Sequence, residues 1–206
     1  MKKIISVFLI VYSFNSQAQN VSTKGTEFWL TYMENLSLNW NAFPAFTIII
    51  SSDVATSGVI SIPATGFTIG FIVSANIATE VTLPQNIYYP QGDEAYFNFG
   101  IKITSQAPVN VYTYHHREYF TDASIVLPVT ELSDQYLITA HTDDSHVSPS
   151  EFVVEATQDS TVVEIIPSVV TLSFRPPDVP FNILLNKGQV FQLQSYNDLT
   201  GTRVKS

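Results

Sequence analysis

Cysteine is absent from the 206 residues, so no disulfide, thiolate metal site or thiol catalysis is available to this chain. Charge is scarce as well, at 13% of residues, and basic charge most of all: nine Lys and Arg stand against eighteen Asp and Glu. The net charge of −9 repels polyanions, and no cluster of basic residues is present to override it, which excludes nucleic acid as a partner. Long apolar runs are missing too. The longest candidate, Ile4 to Val11, is too short to cross a hydrocarbon core of about 30 Å as a helix. No G-x-S-x-G, H-E-x-x-H, P-loop or dinucleotide fingerprint occurs, and no window holds a 3.6-residue apolar period.

What the N-terminus does carry is a targeting pattern. Lys2 and Lys3 precede the apolar run, and Ser16-Gln17-Ala18 places small residues at the two positions that guide cleavage. Residues 1–18 therefore read as a signal peptide, with Gln19 first in the mature chain. Losing Lys2 and Lys3 leaves seven basic residues against eighteen acidic ones, a net charge of −11. An exported chain without cysteine must be held by burial and backbone pairing alone, which fits a bacterial envelope or extracellular protein.

The remainder is strands and turns. β-branched and aromatic residues alternate in short runs such as "TEFWLTYM", "FTIIIS", "GVISIP" and "VNVYTYHH", each closed by Gly, Pro, Asn, Asp or Ser. The pattern predicts an all-β fold of sandwich-like modules. A diverged internal repeat adds detail. "FTIIISSDVATSGVISIP" (Phe46 to Pro63) parallels "FVVEATQDSTVVEIIP" (Phe152 to Pro167). "EVTLPQN" parallels "NILLNKG", and "FGIKITS" parallels "TGTRVKS". The expected organisation is a signal peptide over 1–18, a first module over 19–145 and a second, incomplete module over 146–206. The first copy continues past Ser105 into further strands for which the second has no counterpart. The expectation is a second module lacking its closing strands, with residues 190–206 loosely held.

Four segments carry a family resemblance: "GTEFWLTYMEN" (Gly25 to Asn35), "ITSQAPVNVYTY" (Ile103 to Tyr114), "DASIVLPVTELSDQYLI" (Asp122 to Ile138) and "DLTGTRVKS" (Asp198 to Ser206). Together they resemble the N-terminal domain of the IgGFc-binding protein family, in the form found in large secreted proteins of flavobacteria. The resemblance implies a fragment of a secreted or surface protein that binds or adheres. It transfers no binding residue.

Two local clusters are candidates for chemistry. "YTYHHREYF" offers Tyr112, Tyr114, His115, His116, Arg117 and Tyr119 as a recognition surface, since these residue types suit binding contacts. Adjacent histidines in a strand point to opposite faces and do not share a metal. "HTDDSHVSPSE" holds His141, Asp143, Asp144, His146 and Glu151, but without the glycine and spacing of a calcium loop. The expectation is no metal and no cofactor. Acid pairs such as Asp93-Glu94 and Asp143-Asp144 are what eighteen acids produce by chance.

The expected function is a non-catalytic binding or adhesion module of an exported cell-surface or secreted protein, its partner a protein or glycan on an extracellular surface. The alternatives are a glycoside-active enzyme or carbohydrate-binding accessory domain, and a structural spacer in a large surface protein.

Overall fold

The computed structural model describes residues 22–34, 45–84, 89–117, 120–142 and 148–206. The expected leader over 1–18, Tyr119, and Asp143, Asp144 and His146 of the acidic loop lie outside the described residues. Among the described residues there is no α-helix, and so none long and apolar enough to cross a membrane. The chain is all-β, as the alternation predicts.

The first six strands to pair with one another are β1 (Gly25–Leu30), β2 (Ala45–Ser51), β3 (Thr56–Ile62), β4 (Phe67–Val73), β5 (Thr79–Thr82) and β7 (Ile101–Arg117). Period-2 alternation explains each. On β2, Phe46, Ile48 and Ile50 are buried while Ala45, Thr47, Ile49 and Ser51 face the other way. β7 is long, at 17 residues, because it serves two sheets. Its first half lies between β3 and β1, and its second half lies between β2 and β8 (Phe120–Val126). The hand-over falls at Ala107-Pro108, where Pro108 has no N–H for a ladder. There Ala107 N donates to Thr56 Oγ1 at 3.0 Å and Ser52 Oγ donates to Pro108 O at 2.9 Å, so the bulge keeps its hydrogen bonds.

A second set follows the same plan. It comprises β9 (Gln135–Leu137), β10 (Ser150–Glu155), β11 (Thr161–Ile166), β12 (Phe181–Leu185), β13 (Val190–Ser195) and β14 (Arg203–Lys205). One sheet of the first set runs β4-β3-β7-β1, and the second set has β12-β11-β14-β9 in the same antiparallel order. The register agrees residue by residue. Ile60 faces Ile69 and Ile103, and its counterpart Ile165 faces Phe181 and Val204. In the other sheet β2 pairs β5 as β10 pairs β13, with Ile48 opposite Val81 and Val154 opposite Phe191. Two separate cores result, one around Phe28, Phe46 and Ile103, the other around Phe152, Ile165 and Leu193.

Two expectations need correction. "NILLNKG" lies on β12 and the turn after it, so its counterpart is β4 rather than the β5 segment "EVTLPQN". Both are short apolar β runs, and only their partners tell them apart. Residues 190–206 are also firmly placed rather than loose. Every residue of β13 is buried, β14 lies between β11 and β9 with Val204 in the core, and Ser206 N donates to Asp134 O at 2.9 Å. Where the second set differs from the first is at β10, which among the described residues pairs with β13 alone while its counterpart β2 pairs on both edges.

The two sets are joined by β6 (Ala95–Phe97), which extends the second set's sheet by pairing with β13. Nearby, Gly100 N donates to Gly188 O at 3.1 Å. Gly188 has φ +76°, and a Cβ there would meet the Trp29 ring at 3.0 Å, so the turn and the approach both require glycine.

Candidate functional site

The second half of β7 presents the recognition segment, and strand alternation divides it. Tyr112 and His116 are exposed and Tyr114 is partly so, all on the outer face of the four-stranded sheet β5-β2-β7-β8. The Tyr114 and His116 rings stack, with centroids 6.2 Å apart and planes 7° from parallel. His116 Nδ1 lies 2.8 Å from Thr121 Oγ1, which fixes the imidazole against β8. The flanking positions are mostly short: Ala45 and Thr121 beside His116, Thr47 and Ala123 beside Tyr114. Ile49 and Ile125 stand on either side of Tyr112. The result is three aromatic side chains in line on the outer face of the sheet, two of them stacked and mostly flanked by short neighbours. Aromatic side chains lose little conformational freedom on binding and bury a large area, so such a row suits a flat ligand surface.

His115 and Arg117 do not join this row. His115 is 7% exposed and lies among Phe46, Tyr32 and Tyr89, with ring centroids 4.7, 5.5 and 6.2 Å away. Burial pushes its pKa down to about 4, with Asp122 opposing the shift, so the imidazole is neutral and acts as a core ring. Its Nε2 has no hydrogen-bond partner among the described residues. Arg117 lies on the same side as His115 and donates from Nη1 to Tyr89 Oη at 3.2 Å. Tyr112, Tyr114 and His116 are brought together; His115 and Arg117 are on the other side of the sheet.

A polar cluster between the two sets escaped the sequence reading. β13 is buried on both faces, so Gln192 and Gln194 must find partners inside. Gln192 Nε2 donates to Gly92 O at 3.0 Å, and its Oε1 accepts from Glu34 N at 3.3 Å. Gln194 Nε2 donates to both Glu34 Oε2 at 3.0 Å and Glu151 Oε2 at 2.8 Å. Burial pushes the Glu151 carboxyl up to about 7; the Gln194 bond works against the shift, and the Glu34 charge adds to it. Glu155, whose Oε1 is buried with no partner among the described residues, is raised well above the ordinary carboxylate range by burial.

The acid pair Asp93-Glu94 is committed to holding the two sets together. Asp93 accepts from Gln194 N at 2.6 Å and from Ser173 N at 2.7 Å, while Glu94 forms a two-point ion pair with Arg175. No group of three or more metal-binding side chains is present among the described residues. The signal for the cluster was "VFQLQS", whose alternating polar residues look like a solvent face until residues 92–94 and Glu34 cover them.

The architecture is that of an all-β chain with two sandwich-like sets of strands and an exposed aromatic face. Residues 122–206 match the family model described as IgGFc binding protein, a stretch running from β8 through β14. No curated protein and no solved structure matches the chain.

Proposed function

We propose that this chain is a non-catalytic binding module of an exported, cell-surface or secreted protein, and that the outer face bearing Tyr112, Tyr114 and His116 is its contact surface. The observation that carries the reading is the outer-face placement of Tyr112, Tyr114 and His116, with the Tyr114 and His116 rings stacked. The family match supports the class, since that family is named for binding an immunoglobulin Fc region. The signal-peptide pattern of Lys2, Lys3 and Ser16-x-Ala18 supports export. The partner class is a protein or glycan on an extracellular surface. Tyrosine and histidine rings can stack on sugar faces or fill pockets in a protein partner.

Surface plasmon resonance against immobilised mucin and immobilised IgG Fc tests this. The double substitution Tyr112→Ala, Tyr114→Ala should weaken binding by about tenfold or more, because central aromatic contacts carry 1.4 kcal/mol or more in such interfaces. Its melting temperature should stay within a few degrees of the parent, since both side chains are exposed or partly so. Unchanged affinity in the double variant would remove this face from the account.

A further inference from the structure

β10 is the counterpart of β2, yet their surroundings differ on one side. β2 has β5 on one edge and the second half of β7 on the other, whereas β10, among the described residues, has only β13. A strand edge left open presents unpaired N–H and C=O groups to any extended chain that fits. Beside the open edge lies a cavity of about 740 Å³. Val153 and Val154 of β10, Tyr136 and Ile138, and Val204 and Ser206 line it. In the first set the corresponding space is filled by the second half of β7, whose Val109 and Val111 are fully buried.

We propose that the open edge of β10 and the adjoining cavity form an acceptor site for one further β-strand, antiparallel to β10. The occupant is an extended peptide of the chemistry of Pro108 to His116: a proline at the bend, then apolar residues at alternate positions. Counterpart pairs set its register. Ile48 faces Thr113 and Ile50 faces Val111, so Val154 and Ala156 face the equivalent positions of the incoming strand. Three observations favour a strand over a small ligand. The wall includes the open edge of a six-residue strand, the lining mixes apolar side chains with polar groups as an added strand's side chains and backbone require, and the first set already shows such a strand in place. Ser206 is the counterpart of Ser105 and itself lines the cavity.

The test appends a second copy of residues 106–117 directly after Ser206 and reads hydrogen exchange at residues 150–155. Their amides should slow by about tenfold or more relative to the parent chain, with a higher melting temperature. Placing aspartate at the positions of Val109 and Val111 in the appended copy should remove both gains. The same segment as a free peptide, titrated into the parent chain, should protect residues 150–155 without requiring the extended chain to fold. Unchanged exchange with both the appended and the free segment overturns the proposal. So does protection of 150–155 in the parent that grows with protein concentration, because the edge is then taken by a second copy.

Discussion

Ile48 on β2 and Val154 on β10 occupy the same place in the two sets, each opposite a buried residue of the neighbouring strand, but Ile48 is 0% exposed and Val154 is only half-buried. The difference comes from what lies on the far edge. Ile48 is enclosed by β7, and Val154 borders an open cavity.

Truncating these two residues should therefore have unequal effects. Ile48→Ala removes fully packed methylenes and should destabilise by about 2–5 kcal/mol. Val154→Ala should fall below about 1.5 kcal/mol, since part of its surface is already in solvent. Chemical denaturation of both variants, compared at constant m-value, measures the contrast.

Much of this organisation was legible. The repeat of Phe, apolar strand, Asp and Pro identified β2-β3 and β10-β11 as counterparts, and "GIKITS" and "GTRVKS" identified the first half of β7 and β14. Strand identity came from period-2 alternation, which is local. Partnership is not local. Nothing in "EVTLP" or "NILLN" says which neighbour each will have, so the two runs look alike although one pairs with β2 and the other with β11. The same limit hid the site. Alternation separates His115 from His116, but which of them faces Phe46 depends on residues some seventy positions away.

His115 makes the chain sensitive to acid. Its pKa is about 4 in the folded protein and near 6.5 in an unfolded chain, so the folded state favours the neutral ring. The stability it contributes is fully present above pH 6.5 and is lost as pH falls towards 4. His115→Phe should flatten the melting temperature across that window. Thermal unfolding at half-unit pH steps checks it.

Glu151 acts with the opposite sign. Its carboxyl is raised to about 7 by burial, so its contribution is fully present below the ordinary value of 4.5 and lost as pH rises through 7. Glu151→Gln keeps a hydrogen-bonding group near Gln194 and cannot ionise. The variant should melt above the parent at pH 8, with the gap narrowing towards pH 5.

Gly188 tests the joint between the two sets. Gly188→Ala forces a side chain into φ +76° and against Trp29. A loss of about 1–3 kcal/mol is expected, as for other residues held in a left-handed conformation. Trp29 fluorescence should change with it, because the indole packs on this turn.

The central claim is that binding occurs on the outer face of the β5-β2-β7-β8 sheet, and a footprint on the isotopically labelled chain decides it. On titration with soluble mucin or IgG Fc, the account predicts amide shift changes concentrated at residues 112–116, with neighbours at 47–49 and 121–125. Changes confined to residues 150–206, within the stretch that matches the family model, would contradict it and place the contact surface in the second set of strands.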